Sequence, residues 1–274
     1  MTPATTSAAH LAALHAPGNP LVVPNIWDLA SLNSILALNS PSAPHTIQAI
    51  ATASYAIASS LGLADAALSR GGNLIRISQL APRVRAAGVP LTVDIQDGYG
   101  ARLSDVVAAV VRAGAVGANV EDTREDGTPW GCEEQVLRIQ RVISVAAANG
   151  SDGFVVNARC DVLCPMTKRD GSEGEEERLL EETVRRGKRY LEAGATTVFV
   201  WGGARGLRDA EVRTLVRELG GRLAVKLATG PDKLSVKELA DMGVARISVG
   251  PSLYLAANKT VRDAAERIVG GGRL

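Results

Sequence analysis

The sequence predicts a (β/α)8 barrel of the TIM type, and three observations carry that prediction. Eight short apolar runs rich in Val, Ile and Ala recur along the 274 residues, each followed by a helical pattern, the alternation that produces parallel strands joined by crossover helices. Several helical patterns end on a glycine with the next strand directly behind it, as in Ala113-Gly114-Ala115, Ala193-Gly194-Ala195 and Met242-Gly243-Val244. Glycine there takes the left-handed position that closes a helix. The length suits one barrel of about 250 residues, and no linker rich in Pro, Gly and Ser divides the chain, so residues 1–274 are read as a single domain.

Taken in order, residues 1–18 are small and Ala-rich and read as an irregular or helical N-terminal segment. The strands are expected at Leu21–Asn25, Thr46–Ser54, Leu91–Gln96, Val116–Glu121, Phe154–Arg159, Thr197–Trp201, Leu223–Ala228 and Arg246–Val249. Their nearly continuous apolar character fits strands covered on both faces. Helices are expected at Trp27–Leu38, Asp105–Ala113, Glu133–Ala148, Glu175–Ala193, Ala210–Leu219, Lys237–Met242 and Leu253–Val269. Between Asp65 and Ala87 the pattern is less regular and reads as a short helix, a loop and a second helix. The helix before Ala193 opens on acids and closes on Arg185, Arg186, Lys188 and Arg189, which complements the helix dipole and reads as a solvated face. The last helix extends past the eighth strand. Its stripe of Leu253, Leu255, Ala256, Val261, Ala264 and Ile268 suits either packing on the barrel or exchange between subunits.

Composition excludes several function classes. A net charge of +1 and the absence of a basic tract argue against a nucleic-acid binder, and 3% aromatics leave no stacking platform for bases. No apolar run reaches the roughly 18 residues of a membrane span. Met1–Ala16 lacks a basic start followed by an apolar core, and three cysteines form no disulfide framework, so the cytosol is the expected compartment.

The polar residues collect at strand ends, where the active site of such a barrel lies. Alternation along a strand puts Asp94 and Gln96 on one face, and Asn119 and Glu121 on one face of the next. Clustered carboxylates without a basic neighbour call for a hard divalent cation, and Mg2+ is the expected cofactor. Arg159 shares parity with Asn157 and Asp161 and can turn its planar fork toward a carboxylate, the alternative being a salt bridge to Asp161 or Glu121.

Pro24-Asn25-Ile26-Trp27-Asp28, Ala58-Ser59-Ser60-Leu61-Gly62-Leu63-Ala64-Asp65, Asp94-Ile95-Gln96-Asp97-Gly98-Tyr99-Gly100, Asn119-Val120-Glu121-Asp122 and Asn157-Ala158-Arg159-Cys160-Asp161 follow one another in this order. The series resembles the isocitrate lyase/phosphoenolpyruvate mutase superfamily over about residues 20–260. The resemblance implies a Mg2+-dependent barrel acting on small 2-oxo or 2-hydroxy (di)carboxylates through enolate-like intermediates. It implies Asp94 as the direct metal ligand, Glu121, Gln96 and Asp65 acting through metal-bound water, and Arg159 gripping a substrate carboxylate. Ser54, Tyr55, Asn157 and Trp201 are the remaining substrate-side candidates, and Arg159 and Asp65 are the catalytic ones. A homo-oligomer, a dimer or a tetramer with exchanged C-terminal helices, is implied as well.

Two departures stand out. Gln96 occupies a position where the superfamily carries an acid, which removes one negative charge. The lyases' Lys/Arg-Cys-Gly-His loop after the strand-four Glu is replaced by Asp122-Thr123-Arg124-Glu125-Asp126-Gly127-Thr128-Pro129-Trp130-Gly131-Cys132. Cys132, followed by two acids, is a poor proton shuttle and reads as a helix-start residue, the alternative being a replacement catalyst. His10, His15 and His45 fall at the bottom of the barrel, which leaves no histidine for a nucleophilic triad. Lys226 is either a barrel-interior cation paired to an acid or an anion-binding group, and a Schiff base there would require a depressed pKa. The expected activity is C–C lyase or hydrolase chemistry through a metal-stabilised enolate. The alternatives are a barrel that binds a carboxylate without turning it over and a phosphonate P–C mutase or hydrolase.

Overall fold

The computed structural model describes residues 7–43, 46–164 and 173–274. Nine parallel strands stand in the order β1-β9-β8-β7-β6-β5-β4-β3-β2, which brings the sheet back to its start. β1 (Leu21–Val23) and β2 (Asn25–Ile26) are two halves of one stave, interrupted at Pro24, which has no N–H to give the ladder. β1 pairs with β9 (Arg246–Ser248), while β2 pairs with β3 (Ile50–Thr52). Asn25 repairs the break: its amide donates to the Thr52 carbonyl at 2.8 Å, and its Oδ1 accepts from Val249 and Gly250 N–H at 3.0 and 2.7 Å. The backbone ladders of β1 with β9 and of β2 with β3 close the barrel, and the Asn25 side chain adds bonds to both neighbours at the interruption.

The remaining staves are β4 (Leu91–Asp94), β5 (Gly117–Glu121), β6 (Val155–Cys160), β7 (Thr197–Val200) and β8 (Leu223–Lys226). Helices α2 (Leu29–Leu36), α3 (Ser54–Ser60), α4 (Arg70–Ala86), α5 (Leu103–Ala113), α6 (Cys132–Ala148), α7 (Glu173–Glu192), α8 (Asp209–Glu218), α9 (Val236–Asp241) and α10 (Ser252–Val269) follow them along the chain. The main core lies between strands and helices, where Val93, Val120, Val156, Val198, Val225 and Ile247 meet Leu80, Val107, Ile139 and Leu215. A smaller apolar layer of Leu21, Val23, Ala49, Ala51 and Val155 fills the barrel's lower interior, plugged by Leu11 of α1 (Ala8–Ala13). Gly117 belongs to this layer because a Cβ there would meet the Val155 carbonyl oxygen at 2.8 Å and Leu11 Cδ2 at 3.0 Å.

The eight predicted runs are the eight staves, with one boundary correction that matters. The second stave, expected at 46–54, is a strand only over 50–52, and the chain turns into α3 at Ser54. That helix has no side-chain cap hydrogen bond and no acid in its first turn, so the sequence gives no start signal for it. The reading of α7 also needs correction at one residue. Arg186 is buried, not solvated: it reaches the Asp122 carboxylate at 3.2 Å and Tyr190 at 3.2 Å. His45 and the segment 165–172 lie outside the described residues. Among the described residues no helix is long and apolar enough to cross a membrane.

Candidate active site

Asp94 ends β4 with its carboxylate buried at the mouth. Its Oδ2 accepts the Ser54 N–H and its Oδ1 the Gln96 N–H, both at 3.2 Å. Below it, its own N–H donates to Thr52 Oγ1 at 2.9 Å and its carbonyl accepts from Asn73 at 3.0 Å. Backbone groups from two loops therefore aim the carboxylate, and no lysine or arginine is within ion-pair distance of it among the described residues.

Gln96 reaches the site by a different route from the one alternation predicts. The strand stops at Asp94, and Gln96 adopts a left-handed conformation with φ 52°, which is costly for a residue with a Cβ. Its Nε2 donates to the Asp65 carbonyl at 3.0 Å and to Asp65 Oδ1 at 3.3 Å. Gln96 is therefore an amide tether between two loops. Tyr99, at φ 59°, is the second strained residue of this turn. Gly98 between them has φ 80°, and a Cβ there would sit 2.2 Å from Leu103 Cδ1. Strain of this kind persists only where the surroundings impose it. Here Asp97 holds the turn by accepting from Tyr99 N–H at 2.8 Å, and Arg138 donates to the Asp97 and Gly100 carbonyls.

Glu121 and Arg159 face each other across β5 and β6, which pair in register at these residues. Arg159 Nη1 donates to Glu121 Oε1 at 2.5 Å and Nε to Asp161 Oδ1 at 2.7 Å, and the guanidinium stacks 4.4 Å from the Trp201 ring centroid. Both sides of the sequence-level alternative for Arg159 converge here: it points into the mouth and it is salt-bridged. Burial pushes Glu121 well above its usual pKa despite Arg159, and Asp94, Asp161 and Asp65 push the same way. Burial and the charge of Asp94 also raise Asp65, which leans on a Ser54 hydrogen bond. For Arg159 burial works downward, but Asp161 and Glu121 raise it on balance.

Asp65, Asp94, Glu121 and Arg159 thus share one electrostatic neighbourhood, with Gln96 and Ser54 touching two of them. Asn157 lies one layer deeper, bonded to Asn119 at 2.8 Å and Thr197 at 2.7 Å, and is part of the barrel's inner polar ring. Tyr55 is 41% exposed at the start of α3. Among the described residues no three His, Cys, Asp or Glu side chains form a metal cage. Contrary to what alternation alone suggests, the acids have a basic neighbour, because Arg159 pairs with Glu121 and Asp161. Asp94 itself is in no ion-pair contact among the described residues, and one such carboxylate with several waters is a donor set that fits Mg2+.

The segment after β5 is a tight hairpin in place of the lyases' catalytic loop. Thr123 bridges Pro129, and Arg124 N–H donates to the Thr128 carbonyl at 2.8 Å. Trp130 is held between Arg124 and Arg138, each 4.0 Å from its ring centroid. Cys132 is the first residue of α6, buried, with its thiol pushed up by burial. The clamp residues Trp130 and Arg138 carry no signature that spacing alone reveals.

Among solved structures, one from Burkholderia cenocepacia J2315, provisionally called a phosphonomutase, is 32% identical with a TM-score of 0.81, covering 97% of this chain and 98% of that one. A second from the same organism, provisionally called a lyase/mutase, is 29% identical with a TM-score of 0.78 over 95% and 87% of the two chains. An uncharacterised protein of Mycobacterium tuberculosis H37Rv is 28% identical over 263 residues, 95% of this chain and 89% of its own. The family model described as phosphoenolpyruvate phosphomutase matches residues 11–269. With that match over nearly its whole length, the chain belongs to the phosphoenolpyruvate phosphomutase family, within the phosphoenolpyruvate mutase/isocitrate lyase superfamily.

Proposed function

We propose that the protein is a Mg2+-dependent enzyme that cleaves a C–C bond in a small 2-oxo or 2-hydroxy (di)carboxylate. The observation that carries this reading is Asp94: a buried strand-end carboxylate aimed by Ser54 and Gln96 N–H groups, beside Asp65 and Glu121, with no lysine or arginine in ion-pair contact with it among the described residues. Bound there, Mg2+ would polarise the substrate carbonyl and stabilise enolate charge. Asp94 would hold the ion directly, with Asp65, Gln96 and Glu121 ordering its water.

Arg159 would orient a substrate carboxylate. Because Nε and Nη1 already serve Asp161 and Glu121, gripping a ligand means exchanging an acid for it. Trp201, stacked on the guanidinium, would fix the orientation of that planar fork and exclude water from its face.

Incubation with Mg2+ and oxaloacetate, phosphonopyruvate or alkylmalates, followed by NMR, tests the reading. Turnover lost in Asp94→Ala with an unchanged circular dichroism spectrum is the expected result; an active variant rejects the metal role. The 32% identical relative provisionally called a phosphonomutase favours P–C chemistry as the second reading, and the phosphonopyruvate arm separates the two. Absence of turnover with retained ligand binding would support a barrel that only binds a carboxylate.

A further inference from the structure

Asp122 follows Glu121 out of β5 and, by alternation, points the opposite way, where it is buried. Parallel pairing fixes what its backbone would do if the ladder continued past the Glu121–Arg159 pair. Its N–H donates to the Arg159 carbonyl at 3.2 Å, as the pattern requires. The next bond would run from Asp161 N–H to the Asp122 carbonyl. That carbonyl is taken instead by Trp130 N–H at 2.8 Å, where the hairpin returns. Asp161 N–H is accepted at 2.9 Å by Asp122 Oδ1, so a side chain supplies the missing rung. Trp201 N–H donates to the Cys160 carbonyl at 3.3 Å from the other side, and residues 159–161 are tied to both neighbours.

The replacement works only if the carboxylate is itself held still. Its second oxygen, Oδ2, accepts from the Tyr190 hydroxyl at 2.8 Å and from Arg186 Nη1 at 3.2 Å, both on α7. All three side chains are buried. Arg186 is anchored in turn by Glu182 Oε1 at 2.8 Å and by the Trp130 carbonyl at 2.9 Å. A buried carboxylate with an amide on one oxygen and two donors on the other is fixed in orientation. Asp161, placed by this bond, accepts from Arg159 Nε at 2.7 Å and so sets how the guanidinium is turned.

We propose that Asp122, held by Arg186 and Tyr190, is a positioning residue for Arg159, acting through the Asp161 amide. Side chains that orient a functional group through its own partners are commonly as necessary as the group itself. The inference rests on the reading that Arg159 grips a substrate carboxylate, and adds that α7 sets the geometry of that grip from outside the barrel.

The test follows the Arg159 Nε–H resonance by proton–nitrogen NMR and titrates oxalate by calorimetry in the presence of Mg2+. The resonance is identified by its absence from Arg159→Lys. In Asp122→Ala it should shift, and oxalate should bind about tenfold more weakly, the worth of one hydrogen bond to a charged group. Mg2+ affinity without oxalate should be unchanged, because Asp94 keeps its Ser54 and Gln96 donors. Tyr190→Phe removes one donor and keeps the ring; it guards against a folding failure of Asp122→Ala and should move the resonance in the same direction. Two results overturn the proposal: an unmoved resonance in the folded variants, or full oxalate affinity in Asp122→Ala where Arg159→Lys has lost it. Failure of the carboxylate reading shows separately, as oxalate binding that survives Arg159→Lys while the resonance still shifts in Asp122→Ala.

Discussion

Gln96 sets the charge of the mouth by a single amide. Replacing it with Glu puts a carboxylate where Nε2 now donates to Asp65, so the metal-free Gln96→Glu protein should lose about 1–2 kcal/mol of stability through like-charge repulsion. In exchange it should bind Mg2+ about tenfold more tightly than wild type. Titration calorimetry and the Mg2+-induced rise in Tm read both effects, and equal affinities in the two proteins would remove the idea. His15 gives a residue-scale prediction at the opposite end of the barrel. Its Nδ1 meets the Leu11 carbonyl at 2.8 Å, while Nε2 is buried with no partner among the described residues. Burial, followed by the charge of Arg246, depresses its pKa to about 4. The folded state therefore binds fewer protons than the unfolded one between the ordinary value near 6.5 and about 4. Stability is full above that window and falls as pH drops through it, by up to about 3 kcal/mol. In thermal melts from pH 7 to 4, His15→Gln should lose less than wild type; parallel slopes would contradict this. Asp94 was readable from alternation, since a strand fixes parity. Gln96 was not, because the strand ends two residues before it and a left-handed turn redirects its side chain.

At the scale of elements, the hairpin after β5 shows what has replaced the absent lyase loop. Its tryptophan is clamped between two guanidinium groups, and one of these, Arg138, also holds the Asp97 and Gly100 carbonyls of the strained turn beside Asp94. Hairpin and metal-side turn are therefore one mechanical unit. Trp130→Ala should cost about 1–3 kcal/mol, the scale of lost cation–π and packing contacts. It should raise amide exchange in 96–100 as well as in 122–131, and an increase confined to the hairpin would show that the two segments are independent. The loss of the Lys/Arg-Cys-Gly-His pattern was plain in the sequence. The clamp was not, because Trp130 and Arg138 belong to different elements and meet only when α6 docks on the barrel. The burial of Arg186 escaped for a similar reason: charge periodicity on α7 says nothing of the Asp122 carboxylate that β5 brings beneath it.

For the whole molecule, α10 is the unsettled element. It buries none of its residues within the chain, and Leu255, Val261 and Ile268 are 50%, 68% and 49% exposed. Its tie to the barrel includes an edge-to-face contact between Tyr254 and Trp27 with ring centroids 5.2 Å apart. Packing on its own barrel therefore leaves the apolar stripe uncovered. We expect a homo-oligomer in which a second copy covers it, with light scattering giving a dimer or tetramer for wild type and a smaller species for Val261→Asp. A monomeric wild type would refute this. Within the barrel, Gly117→Ala should destabilise by about 1–3 kcal/mol through overpacking against Val155 and Leu11, measurable by chemical denaturation.

The order of the staves, the glycine-closed helices and the strand-end acids were determined by the sequence itself. Each depends on periodicity or on a single residue's backbone preference, and both are local properties. Whether Arg159 is free or engaged, where Gln96 points, and that the Lys226 stem lies against Gly250 were decided only by tertiary structure. Those properties depend on which side chains from distant staves share the mouth, and barrel closure sets that.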